Sequence, residues 1–116
     1  MVKRVLVIDD DDDIREFLRI LLGLEGYVVL EAREGREGLE AARSENPPHV
    51  ILLDLMMPGM NGWQFLRARG EDPALERIPV LVLTGAGPTA VAREFEVFSK
   101  PIDIAALMAA VSRSCQ

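Results

Sequence analysis

Short, continuously apolar runs alternate with longer amphipathic stretches along the whole chain, and that alternation restricts the fold more than any other feature. Val5–Ile8 is apolar at every position and rich in β-branched residues, the pattern of a strand covered on both faces. From Asp13 to Glu25, Ile14, Phe17, Leu18, Leu21 and Leu22 return at helical spacing, with Arg15, Glu16 and Arg19 on the other face, and Gly26 ends the helix. Tyr27–Leu30 reads as a second strand and Gly35–Asn46 as a second helix, closed by Pro47-Pro48. A third strand, Val50–Leu53, ends at Asp54. A third helix follows over Gly62–Gly70 and a fourth strand over Pro79–Leu83. Pro88–Glu94 is expected as a short helix and Phe95–Phe98 as a weak fifth strand. Ile102–Arg113 closes the chain as a helix with Ile104, Leu107, Met108 and Val111 turned inward.

Strands that alternate with helices imply a parallel sheet with helices on both faces, an α/β doubly wound architecture. Ligands of such sheets bind beyond the carboxyl ends of the strands, where the strand order reverses. Asp9 and Asp10 follow the first strand, Asp54 the third, Thr84 the fourth and Lys100 the fifth. Those groups suit a phosphate and a metal together.

Composition narrows the partners. The 116 residues are expected to form one domain, 1–116. Lysine and arginine number 13 against 19 aspartates and glutamates, a formal charge of -6. That balance argues against a grip on nucleic acid, which needs excess basic groups to displace counterions, and against an anionic membrane surface. The Val5–Ile8 run stops at five consecutive aspartates, too soon for a signal peptide or a membrane span, so a cytoplasmic location is expected. Cys115 is the only cysteine, so no internal disulfide can form.

Asp9, Asp10 and Asp54 would crowd three carboxylates into one pocket, where they must be protonated or neutralised by a cation. An all-oxygen set fits Mg²⁺, and there is no Cys/His cluster of the kind zinc or copper takes. Asp11 and Asp12 read as a solvated acidic run, with Asp13 near the helix cap. Asp54, at the tip of an apolar strand, is placed to act as a nucleophile on phosphorus, although Pro58-Gly59 would equally suit an aspartate that merely opens a turn. Lys100 offers a compact positive charge and Thr84 a hydroxyl to phosphoryl oxygens.

In this order Val5–Asp10, Val50–Gly62 (VILLDLMMPGMNG), Leu81–Gly85 (LVLTG) and Lys100-Pro101 resemble the motif set of response-regulator receiver domains of two-component systems. The resemblance runs over almost the whole chain. It implies a flavodoxin-like five-stranded sheet in the order 2-1-3-4-5 with five helices. It also implies that Asp54 is the phosphoacceptor, that Asp9 and Asp10 are the acidic metal pair, and that Met56 lends a backbone carbonyl to Mg²⁺. Thr84 and Lys100 would bind the phosphoryl group, and the Lys100–Pro101 bond is expected cis. A sensor histidine kinase or phosphotransfer protein would be the donor and a downstream protein the target. The chain would be a monomer or weak dimer that acts as a switch and not as an enzyme.

This chain departs from the family pattern between Thr84 and Lys100, where only fifteen residues intervene. The fourth helix is therefore expected to be short or irregular. Val97 stands where the family places its switch aromatic, with Phe95 and Phe98 expected on the opposite face of the strand. Met56 and Ala86 occupy positions that tune phosphoryl loss and offer no polar group to orient water. His49 reads as a loop residue and Trp63 as a packing residue. The rival function is an adaptor that keeps the receiver fold and signals by docking without phosphorylation. A phosphatase working through an aspartyl phosphate is disfavoured, because Asp54-Leu55-Met56 lacks a second acid.

Overall fold

The computed structural model describes residues 2–85 and 93–116. The chain runs β1 (Arg4–Ile8), α1 (Asp12–Leu24), β2 (Val28–Ala32), α2 (Gly35–Ala42), β3 (Val50–Asp54), α3 (Gly62–Gly70), α4 (Pro73–Glu76), β4 (Val80–Thr84), β5 (Glu96–Ser99) and α5 (Ile104–Ser114). All neighbouring strands are parallel, and the sheet order is β2-β1-β3-β4-β5. This is the doubly wound topology expected, with the order reversing between β1 and β3.

Although the central strands are apolar throughout, alternate residues serve different layers. Leu6, Ile8, Ile51, Leu53, Val80 and Val82 pack with Leu39 and Ala42 of α2, Phe65 of α3 and Leu75 of α4. Val5, Val7, Val50, Leu52, Leu81 and Leu83 pack with Leu18 and Leu22 of α1 and with Leu107, Ala110 and Val111 of α5. Two covered faces explain why the strands carry no polar alternation.

Several boundaries move by one to four residues for local reasons. The N-cap of α1 is Asp11, whose side chain accepts from the N–H groups of Asp13 and Ile14, so Asp11 is part of the helix start and Asp13 lies inside the first turn. Helix α2 stops at Ala42, four residues before Asn46, with Arg43 as its C-cap. The helix α4 was not anticipated. Its signal is Asp72, which accepts from the Ala74 N–H, followed by Pro73 in the first turn. Strands β2, β4 and β5 each begin one residue later than the apolar runs suggest. Of the short helix expected over Pro88–Glu94, residues 88–92 lie outside the described residues, as does Ala86.

Phe95 and Phe98 do not share a face. Phe98 packs with the α1/α5 layer, whereas Phe95 lies with Val97 against the other. Residues two apart on extended backbone point the same way, which corrects the expectation that both aromatics oppose Val97.

His49 has a structural role as a loop residue. Its Nδ1 accepts the Arg4 N–H at 2.9 Å, and its own N–H donates to the Arg4 carbonyl, pinning the start of β3 beside β1. Burial, with the charges of Arg4 and Lys3, lowers the His49 pKa below 6.5. A lowered folded-state value means the unfolded chain binds the proton more tightly, so this contribution is present above pH ~6.5 and lost as pH falls. His49→Gln, which keeps an acceptor but not the titration, is therefore expected to lose less stability than the native chain between pH 7 and 5, read as the difference in urea midpoints.

Candidate functional site

The register of the sheet brings the acidic strand ends together. Ile8 pairs with Leu53 across β1 and β3, so the next residues, Asp9 and Asp54, emerge side by side. Asp9 is 1% exposed and Asp54 4%, while Asp10 points to the surface. Carboxylate oxygens of all three lie within 4.8 Å of one another. Two full charges at that distance repel by ~3 kcal/mol at an effective dielectric of 20. Burial, and then the charge on Asp9, push the Asp54 carboxyl from 3.8 up to about 6. Burial also raises Asp9.

Lys100 approaches from β5. Its Nζ is 3.4 Å from Asp9 Oδ2 and 3.8 Å from Asp54 Oδ1, which offsets part of the repulsion. One ammonium cannot balance three carboxylates. The remaining negative charge, the all-oxygen donor set and an open cleft lined by Asp9, Asp10, Asp11, Asp54, Met56, Gly85 and Lys100 fit a hard divalent cation that keeps part of its water. Thr84 is fully buried at the end of β4, and its carbonyl accepts the Lys100 N–H at 2.9 Å, tying the fourth and fifth strand ends together. The Lys100–Pro101 peptide bond is cis, as the resemblance implied.

The loop after β3 is held against two helices. Asp54 Oδ1 accepts the Met56 N–H at 3.2 Å, turning the chain away from the sheet. Gly59 has a φ of +69°, a conformation that L side chains rarely adopt, and lies beside the Glu34 carboxylate. That carboxylate accepts the Met60 N–H with one oxygen and the Glu37 N–H with the other, so one side chain caps α2 and holds the loop. Asn61 and Gln64 form a reciprocal capping box that starts α3.

Gly62 allows the closest approach. A Cβ there would lie 2.6 Å from Leu55 Cα and 2.8 Å from the Asp54 carbonyl oxygen, both backbone atoms that cannot swing aside. Gly62→Ala is expected to destabilise the fold by ~1–3 kcal/mol. Urea unfolding checks it.

All the strand-end residues singled out from the sequence thus converge on one end of the sheet. Arg15 does not behave as expected. Assigned to the outer face of α1, it is 8% exposed, with its guanidinium turned under the Asp9 loop, where Nη1 donates to the Asp9 carbonyl at 2.7 Å. Its helical position beside Leu18 and Leu22 was the available signal. Trp63, expected to pack, is 40% exposed and lines a surface cleft with Arg69 and Phe95.

Residues 5–112 match the profile of the response regulator receiver domain. The chain is 38% identical over 81 residues to Protein PilH of Pseudomonas aeruginosa, an alignment that covers 70% of this chain and 66% of PilH. It is 44% identical over 87 residues to Response regulator MprA of Mycolicibacterium vanbaalenii, covering 72% of this chain but only 35% of that protein. Among solved structures, a putative response regulator from Chloroflexus aurantiacus superposes with a TM-score of 0.88 at 26% identity, over 99% of this chain and 98% of the other. The chemotaxis protein CheY4 of Vibrio cholerae does so with a TM-score of 0.87 at 28% identity, over 98% and 99%.

Proposed function

The chain belongs to the response regulator receiver domain family, and from that premise we propose that it is a switch that accepts a phosphoryl group on Asp54 with Mg²⁺ at the neighbouring carboxylates. Members of this family are signalling switches that interact with histidine kinases or phosphotransfer proteins. The observation that carries the reading is the convergence of Asp9, Asp10 and Asp54 within 4.8 Å beside the Lys100 ammonium. Asp9, Asp10, Asp54 and the Met56 backbone carbonyl would hold the cation. When bound, Mg²⁺ neutralises the carboxylates and the oxygens of the incoming phosphoryl group.

The protein's own groups divide the remaining work. A carboxylate oxygen of Asp54 attacks phosphorus, forming the new P–O bond, and the donor's bond to phosphorus breaks with its electron pair leaving on the donor. Lys100, now shared between Asp9 and Asp54, turns one of its N–H donors to a phosphoryl oxygen, and the Thr84 hydroxyl donates to another. The moved charge shifts an equilibrium between two arrangements of the strand ends. A sensor kinase or phosphotransfer protein would supply the group and a downstream protein would read it. Exposed Phe17, Ile20 and Leu24 form one helical stripe on α1, and Phe17 lines a cleft with Lys100 and Pro101, which supports a protein partner on this face. We assign the chain as one receiver domain, 1–116, acting in the cytoplasm without contacting nucleic acid directly. In support, the formal charge is -6, and no helix among the described residues is long and apolar enough to cross a membrane.

The test is intact mass after incubation with Mg²⁺ and a small acyl phosphate, beside a chelated control. One added phosphoryl group that requires the cation supports the switch. No addition under either condition overturns it and favours the docking adaptor, the reading for which Val97 in the switch position speaks.

A further inference from the structure

Arg15 carries more interactions at the site than its place on an amphipathic helix requires. The Asp9 N–H donates to the Ala32 carbonyl at 3.1 Å and the Asp9 carbonyl accepts from Arg15 at 2.7 Å, so the chain is gripped on both sides of that residue. The same guanidinium is anchored to the Asp12 carboxylate and, through Nε, to Glu31 Oε1 at 3.3 Å on β2. Among the described residues nothing holds Asp10 in this way: it is exposed, and its backbone direction follows the Asp9–Asp10 peptide whose oxygen Arg15 grips.

We infer that Arg15 is a positioning residue for the cation site, its fork fixing the Asp9–Asp10 peptide so that the Asp10 carboxylate stays within reach of Asp9 and Asp54. The inference rests on the Mg²⁺ reading given above. The charge and the geometry of Arg15 act in opposite directions. A positive group near the carboxylates opposes a divalent cation, so losing it should tighten binding if charge were its main contribution. A planar fork that bonds a carbonyl and two carboxylates at once has no equivalent in lysine. Groups that orient metal ligands from behind typically change affinity by 10- to 100-fold when removed.

The experiment is a calorimetric titration of the full chain with MgCl₂, for the native protein and for Arg15→Lys and Arg15→Met, each first shown to be folded by circular dichroism. Positioning predicts that both variants bind Mg²⁺ roughly 10- to 100-fold more weakly, lysine not rescuing the loss. Tighter binding by Arg15→Met, with Arg15→Lys unchanged, would show a charge effect and overturn the inference. So would lowered stability with unchanged affinity, the mark of a purely structural residue. If the Arg15 variants do not fold, Glu31→Ala removes one anchor of the guanidinium from an exposed strand and should weaken binding in the same direction by a smaller factor. Unchanged affinity there overturns the inference. If Arg15→Lys folds, Glu31→Ala should add nothing in its background, since additive losses would mean that Glu31 does not act through Arg15. Native protein that binds no Mg²⁺ overturns the cation reading itself, whereas native binding with unaffected variants overturns only the role of Arg15.

Discussion

Asp54→Asn protein incubated with Mg²⁺ and a small acyl phosphate is expected to gain no mass while the native protein gains one phosphoryl group. The amide oxygen can still accept the Met56 N–H, so the loop geometry survives, but the nucleophilic carboxylate is gone. The same substitution is expected to stabilise the cation-free fold. Burial and the Asp9 charge raise the Asp54 carboxyl from 3.8 to about 6. A raised folded-state value means that stability is highest when the group is protonated, and it is lost as pH rises from about 4 through 6. At pH 7 the native chain therefore bears a cost on the order of 2–3 kcal/mol that Asn does not. The gap in urea midpoints should close toward pH 4 and should narrow at pH 7 when Mg²⁺ is added. A variant no more stable than the native chain at pH 7 would show that the pocket's repulsion is already relieved within the protein.

Phe65→Ala is expected to cost ~3–5 kcal/mol, the largest effect on stability. Phe65 is fully buried, and it packs in the layer that α2 and α3 form on the sheet with Ile8, Leu39 and Leu53. Gly38 of α2 is close enough that a Cβ there would meet Ile8 Cδ1 at 2.4 Å and Phe65 Cε1 at 3.2 Å, so backbone and side chains leave little room to collapse into the void. Since small domains are stable by only 5–15 kcal/mol, that loss is a large fraction of the total. A drop in urea midpoint with an unchanged slope checks it, while a loss below ~1 kcal/mol would mean the helix layer repacks.

The strands and the placement of the strand-end groups were legible because their determinants are local. A run such as Val50–Leu53 is apolar at every position only if both faces are covered, and a polar residue directly after it lies at the carboxyl end of the sheet, where ligands of such folds bind. That reasoning placed Asp9, Asp54 and Thr84 without any knowledge of contacts. Helix α4 was missed although Asp72-Pro73 marks a helix start, since four residues are too few to show a period. The face of Phe95 was misjudged by a slip of one in an alternation of two, whereas Phe98 does oppose Val97. Arg15 was misplaced because helical spacing assigns a charged residue to water, whereas the structure turns its head under the Asp9 carbonyl.

The amino-acid sequence by itself determined the alternation of strands and helices, the parallel sheet that alternation requires, and the acidic, hydroxyl and ammonium groups at its strand ends. Each of these follows from side-chain polarity and period within a few residues. Only the tertiary structure decided that Ile8 stands opposite Leu53, which sets Asp9 beside Asp54, and that one guanidinium joins Asp9, Asp12 and Glu31. Apart from the Arg15–Asp12 pair, which is one helical turn apart, those relations depend on strand register and on the approach of α1 to β2, and they join residues whose separation along the chain carries no record of their contact.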